Sequence, residues 1–254
     1  MELNLQGKRA LITGATKGIG LSTAHCLAQE GCDLILVARD KDALQNAAEA
    51  IASKWRVKIA IIAADLSTMS GVEAIQEQCG PVDILVNNAG AVPPGDLMSL
   101  SDAEWRDAWD LKPFGYIALI RALYRVIRES CGVIVNVIGS AGESPSATYV
   151  AGSTGNAALM MFTRSIAKLA RQDGFRVVGI NPGPVATERF DMLMKAEAER
   201  RFGDSERWPE LTSTLPYGRA AQSEEIAAAI AFLASPLSAY TNGAILTIDG
   251  GGIS

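Results

Sequence analysis

The chain has 254 residues, 48% hydrophobic and 20% charged, which excludes intrinsic disorder and leaves room for one large α/β domain or two small ones. Its 28 acids against 23 bases give a net charge of −5, which argues against nucleic acid as the main partner. One histidine, His25, excludes a histidine-rich metal site and a Ser-His-Asp triad, and no apolar run approaches the ~20 residues needed to span a bilayer.

A strand is predicted over 9–13, followed by a glycine-rich turn and a helix over 19–30. Further strands follow at 33–38, 58–63 and 84–87, with helices at 41–54 and 70–79 between them. A long helix over 101–130 opens on the capping box Ser101-x-x-Glu104. Pro113 lies inside it, removes the bond to the Trp109 carbonyl and is expected to kink it near Lys112. Strands at 133–138, 176–180 and 245–248 complete the pattern, with helices at about 148–171 and at 223–234. Continuous β-branched runs suit strands buried on both faces of a parallel sheet, and strand–helix alternation throughout predicts a doubly wound α/β fold.

No composition break or linker divides the chain, so residues 1–254 read as one domain. The segment 188–214 interrupts the last strand–helix–strand unit and reads as a lid over the ligand edge of the sheet. It carries Phe190, Met192, Leu193, Met194, Phe202 and Trp208, which suit an adaptable apolar pocket. Its cations, Arg189, Lys195, Arg200, Arg201 and Arg207, either welcome a carboxylate or an acidic carrier or form the wet face of a helix. Residues 1–6 have neither the basic nor the apolar region of a signal peptide. Cys26, Cys32, Cys79 and Cys131 are scattered and read as buried, reduced thiols of a cytoplasmic protein.

The turn after the first strand is Gly14-Ala15-Thr16-Lys17-Gly18-Ile19-Gly20. Its glycines permit close approach to a pyrophosphate, and the helix behind it supplies free N–H groups and a positive dipole end. The spacing G-x-x-x-G-x-G differs from the G-x-G-x-x-G of the commonest dinucleotide fold. Where an acid at the end of the second strand would hold the ribose of NAD, this chain has Ala38 followed by Arg39. Arg39 and Lys17 together can grip a 2′-phosphate, so NADP(H) is expected in preference to NAD(H).

Thr13-Gly14-Ala15-Thr16-Lys17-Gly18-Ile19-Gly20 resembles the cofactor loop of the short-chain dehydrogenase/reductase family. Asn87-Asn88-Ala89-Gly90, the run Asn181-Pro182-Gly183-Pro184-Val185-Ala186-Thr187 and Asp249-Gly250-Gly251 resemble its later motifs, so the likeness extends from residue 8 to residue 251. It implies a seven-stranded Rossmann-type sheet, a nicotinamide cofactor and a homo-oligomer, tetramer or dimer. The long helices 101–130 and 148–171 would be its interface elements. By position, Asp65 and Leu66 would contact adenine, Asn88 and Gly90 would line the cofactor, and Pro182, Gly183, Val185 and Thr187 would hold the nicotinamide.

The catalytic positions depart from the family, which uses an Asn, a Ser and a Tyr-x-x-x-Lys. Ser140 matches the serine. Lys112 stands at the Asn position, and the Tyr-x-x-x-Lys reads Gly152-Ser153-Thr154-Gly155-Asn156. Tyr149 lies three residues earlier and would share a helix face with Ser153 and Asn156. Gly152 and Gly155 suggest close backbone approach, or space for a substrate or a displaced ring. One reading is a functional swap, with the Lys112 ammonium reaching toward Asn156 to charge the surroundings of Tyr149 or the nicotinamide ribose. In the other, Lys112 faces solvent and Asn156 binds ribose. Side chains on a helix lean toward its N-terminus, which would aim Tyr149 outward as a substrate wall. Ser140 and Lys112, or a water, would then handle the proton.

The expected activity is hydride transfer between the nicotinamide and an apolar or aromatic ketone or secondary alcohol. An unassisted tyrosine donates protons well at neutral pH and accepts them poorly, so reduction is favoured. The alternative is an NADP(H)-binding pseudoenzyme, a sensor or partner subunit, for which the missing Tyr-x-x-x-Lys speaks. His25 reads as structural or solvated, and Glu143 as exposed.

Overall fold

The computed structural model describes residues 2–252. Its seven strands are β1 (Arg9–Thr13), β2 (Asp33–Ala38), β3 (Ile59–Ala63), β4 (Ile84–Asn87), β5 (Val133–Val137), β6 (Arg176–Pro182) and β7 (Ile245–Ile248). They form one parallel sheet in the order β3-β2-β1-β4-β5-β6-β7. The order reverses between β1 and β4, which opens a crevice at the carboxyl ends of those strands.

Alternate residues of each strand enter opposite layers, which is why the strand runs are apolar without interruption. Leu34 and Leu36 of β2 enter the layer built with α1 (Gly18–Gln29), α2 (Lys41–Ala52) and α9 (Ser223–Ala234), to which those helices contribute Leu27, Leu44 and Ile230. Ile35 and Val37 join the opposite layer, built with α3 (Met69–Cys79), α5 (Gly115–Glu129) and α6 (Val150–Gln172). In α5 the buried positions Tyr116, Leu119, Ile120, Leu123 and Ile127 follow the helical period.

The expected long helix is three pieces. Ser101 and Glu104 form the capping box of α4 (Asp102–Trp109), which runs into a π turn over Asp110–Phe114 and then α5. Pro113 sits inside that turn, at the expected kink. The segment between β6 and α9 folds as α7 (Glu188–Phe202) and α8 (Trp208–Thr212), joined by a short 3₁₀ turn.

The sixth helix begins at Val150, so Tyr149 is its cap rather than part of a helical face. The reading of the cysteines as buried holds for Cys32 and Cys79, whereas Cys26 is half-buried and Cys131 is exposed. Cys131 turns the chain between α5 and β5 in a left-handed conformation, φ 48°, which keeps it at the surface. Among the described residues no helix is long and apolar enough to cross a membrane.

Candidate active site

The glycine turn closes on itself. Gly14 and Gly18 adopt φ 66° and 53°. A side chain on Gly20 would strike the Gly14 carbonyl, so the first turn of α1 lies directly against the loop. That turn carries no acid, and Lys17 at its N-cap forms no side-chain cap, which leaves its N–H groups for an anion. Asn88 holds the loop from behind: its backbone N–H donates to the Thr13 hydroxyl at 2.9 Å and its side-chain amide to the Thr13 carbonyl at 2.9 Å. Thr16 and Ile19 are half-buried along the turn.

At the end of β2, Asp40 accepts from the N–H groups of Asp42 and Ala43 and so caps α2. The acid beside the ribose position is therefore engaged, and Arg39 is left exposed next to it. Burial pushes the Asp65 pKa up, but hydrogen bonds from Ser67, and to a lesser degree the Arg39 charge, draw it below the usual range. The Leu66 side chain is buried in the core, so its backbone is what it can offer adenine.

Facing the glycine turn is the segment after β6. A Cβ on Gly18 would meet the Thr187 methyl at 3.2 Å. The Gly183 N–H donates to the Ile248 carbonyl, Val185 bridges to Ala221, and the Thr187 hydroxyl caps α7 by accepting from Phe190 N–H at 3.3 Å. Lys17 pairs with Glu188 at 3.2 Å, joining the glycine turn to the start of α7.

The remaining groups converge on the end of β5. The Lys112 ammonium reaches in from the π turn and donates to the Ile138 carbonyl. Its stem crosses Gly90, where a Cβ would sit 3.0 Å from Lys112 Cδ. Asn156 comes from the other side, its amide nitrogen 2.7 Å from where a Gly139 Cβ would be. The two side chains thus flank the Ile138–Gly139 peptide, just before Ser140, and Lys112 does not face solvent. Among the described residues the buried Asn156 Oδ1 has no partner. Ser140 is half-buried and opens a short 3₁₀ turn, its hydroxyl uncommitted among the described residues.

Tyr149 does not lean outward. Its backbone is non-helical, φ −144° and ψ 44°, and its ring folds forward over Gly152. A Cβ on Gly152 would run into ring carbons Cε1 and Cζ and lie 2.6 Å from the hydroxyl. The tyrosine therefore occupies the space that a side chain at position 152 would fill. Gly155 serves the other purpose: α6 approaches the π turn there, a Cβ falling 3.3 Å from Pro113. Trp109 fixes the crossing by donating from Nε1 to the Ala151 carbonyl at 3.0 Å.

The sequence reading missed the specific place of Arg189. From the first turn of α7 its guanidinium donates to the Val92 carbonyl and lies beside the Tyr149 hydroxyl. Burial raises the Tyr149 pKa, and the Arg189 charge opposes that rise. Desolvation, with Arg189 nearby, pushes the Lys112 amine down to about 8. Glu143 ties the strand ends together, accepting from Asn181 Nδ2 at 2.8 Å and from the Thr247 hydroxyl at 3.0 Å. His25 is half-buried on α1, and its pKa is lowered chiefly by burial.

A dinucleotide fits these residues: the closed glycine cradle suits a pyrophosphate, and the orphaned Asn156 oxygen suits a ribose hydroxyl.

Comparison with known proteins agrees. The family described as enoyl-(acyl carrier protein) reductase matches residues 14–252. Galactitol 2-dehydrogenase (L-tagatose-forming) of Cereibacter sphaeroides is 36% identical over 250 residues, covering 97% of this chain and 95% of its own. The 3-oxoacyl-(acyl-carrier-protein) reductase of Escherichia coli is 32% identical, with 98% of each chain covered. L-sorbose reductase of Gluconobacter frateurii, solved with NADPH and L-sorbose, superposes with a TM-score of 0.93 at 32% identity over 100% of this chain and 99% of its own. A 7α-hydroxysteroid dehydrogenase solved with NADH gives 0.88 at 28% identity, over 99% and 96%. These relatives are reductases and dehydrogenases of carbonyls and alcohols, and they match this chain from end to end: it belongs to the short-chain dehydrogenase/reductase family.

Proposed function

We propose that the protein is an NADP(H)-dependent oxidoreductase that reduces a ketone to a secondary alcohol, with Tyr149 as proton donor. The observation that carries this reading is the Tyr149 ring seated over Gly152, in the space of the missing motif tyrosine. The hydride for the carbonyl carbon would come from the reduced nicotinamide held by these residues. Tyr149 gives its proton to the carbonyl oxygen and recovers one from solvent. The Ser140 hydroxyl holds that oxygen, and burial keeps Tyr149 protonated at neutral pH, which favours reduction.

Asn156 takes the ribose through its free oxygen, and Lys112 supplies positive charge at the end of β5. Gly14, Thr16, Lys17, Gly18, Ile19 and Gly20 hold the pyrophosphate, and Arg39 with Lys17 holds the 2′-phosphate. Asp65 and Leu66 border the adenine, while Asn88 and Gly90 support the loop and Lys112. Pro182, Gly183, Val185 and Thr187 border the nicotinamide, and α7 and α8 form the lid of a single domain. Met161, 60% exposed, and Leu169, 50% exposed, lie on the outer face of α6 and suit a homo-oligomer. The relatives are enzymes and lend nothing to a pseudoenzyme.

The test is stopped-flow loss of NADPH absorbance with aliphatic, aromatic and carboxylated ketones, in wild type, Tyr149→Phe and Ser140→Ala. Turnover collapsing by about 10²–10⁴ in Tyr149→Phe supports the assignment. Turnover that survives there and dies in Ser140→Ala moves the proton donor away from Tyr149. Tight NADPH binding without turnover on any ketone refutes the reductase.

A further inference from the structure

Lys112 and Arg189 enter the site from opposite sides, one from the π turn and the other from α7. Each is anchored at a backbone carbonyl, Ile138 for the ammonium and Val92 for the guanidinium, which also lies beside the Tyr149 hydroxyl. Neither has an acidic partner among the described residues. Of the acids in the adjoining segments, Glu143 is engaged with Asn181 and Thr247, while Asp110, Glu188 and Asp191 are exposed and none pairs with either cation among the described residues.

An ammonium has three donors and a guanidinium five, so most of this donor capacity is open. A buried ammonium close to a half-buried guanidinium, with no counter-ion, is costly, and an anion bound between them relieves that cost. The Arg189 guanidinium also lies beside the Tyr149 hydroxyl, the group assigned to the reacting oxygen. A carboxylate bound by this pair therefore sits within one or two carbons of the reacting carbonyl. The planar fork of arginine matches a carboxylate with two parallel hydrogen bonds.

Resting on the reductase reading above, we infer that Lys112 and Arg189 form a carboxylate site and that the substrate is a 2- or 3-oxo acid with an apolar body. The body would lie against Phe190, Leu193 and Met194, which α7 carries in the turns that follow Arg189. The dinucleotide's own phosphates are served at the glycine turn and by Arg39 and Lys17, so this pair is left for the substrate.

The test compares 2-oxo-4-phenylbutanoate with its ethyl ester as substrates of the NADPH-loaded enzyme. The acid is expected to exceed the ester in kcat/KM by about 10- to 100-fold, the range for a hydrogen bond to a charged group. Arg189→Met is expected to bring this ratio close to one, and Arg189→Lys to restore part of it. Using the ratio cancels any effect of Arg189 on Tyr149 that both substrates share. An ester turned over as well as the acid by wild type, or a ratio unmoved in Arg189→Met, overturns the inference. So does a weaker NADPH Kd in Arg189→Met with the ratio intact, which would give the cations to the cofactor.

If the folded, NADPH-loaded wild type reduces neither compound, nor any ketone of the wider panel, the reductase reading fails. The carboxylate site is then read by calorimetric titration of the acid into the NADP⁺-loaded protein. Binding that disappears in Arg189→Met supports the site, and no binding to wild type overturns it.

Discussion

Gly152→Ala separates two accounts of the catalytic helix, because they predict opposite outcomes. Gly152 lies inside α6, where alanine is favoured over glycine by about 1 kcal/mol. If nothing rested on Gly152, the substitution would raise the melting temperature and leave turnover alone. In the structure the new Cβ would run into Cε1 and Cζ of Tyr149. Carbon atoms need about 3.5–4.0 Å, so the ring must retreat by on the order of 1.5 Å, and its hydroxyl by more. The obstacle is the far end of a side chain, so the ring moves and the helix stays. A proton donor works only within about 2.6–3.2 Å of its acceptor, and a misplacement of about 1 Å costs about 10²-fold. Gly152→Ala is therefore expected to lose at least about 100-fold in kcat while its melting temperature changes little, the helical gain offsetting the displaced ring. The assay is NADPH consumption at saturating ketone, paired with thermal melts by circular dichroism. Tyr149→Phe should show the same loss, and the double variant little more, because both remove one function. Full kcat in Gly152→Ala would refute the placement of Tyr149 as the donor.

Three further predictions concern charge. Burial beside Arg189 lowers the Lys112 pKa to about 8, so kcat/KM for an oxo acid should fall as pH rises through about 8, and this break should vanish in Lys112→Met. The unfolded chain keeps that proton up to ~10.4 and so binds more protons than the native state between the two values. Wild type should therefore gain stability over Lys112→Met across that window, by up to about 3 kcal/mol in urea melts, and a flat difference would contradict the burial. Arg39→Ser and Lys17→Ser should each weaken NADPH by about 10-fold or more while NADH is little changed; equal losses for both cofactors would remove the 2′-phosphate assignment.

The sheet was legible because burial on both faces leaves uninterrupted apolar runs, and Leu34–Ile35–Leu36–Val37 alternate between two layers without a polar residue. The glycine turn was legible because each glycine answers a steric demand that any other residue would violate, Gly20 against the Gly14 carbonyl most of all. The break near Lys112 followed from Pro113, although a π turn rather than a bend absorbs it. The catalytic end was less legible. Helical periodicity placed Tyr149 on a face with Ser153 and Asn156, but Tyr149 is the cap and its backbone leaves the helical region. The loop before it turns back on α6, Ser146 N–H donating to the Ser153 hydroxyl at 3.1 Å, and this sets where the helix starts. Arg189 was visible only as one cation among five in its segment. Its approach to Tyr149 depends on a long side chain crossing between elements 40 positions apart, which no local pattern encodes.

These pieces depend on one another sterically, as the reading proposed above requires of the altered motif. Loss of a side chain at 152 makes the space that the Tyr149 ring fills. Loss of one at 155 lets α6 close on Pro113 and Trp109. That contact seats the π turn, which carries Lys112 to the Ile138 carbonyl over Gly90. On the other side of the same peptide Asn156 keeps an oxygen with no partner among the described residues, open to a hydroxyl donor. A chain that had merely lost its tyrosine and lysine would have no reason to keep three glycines against three specific side chains. Nor would it keep a buried ammonium close to a guanidinium, an arrangement that costs stability unless an anion is bound.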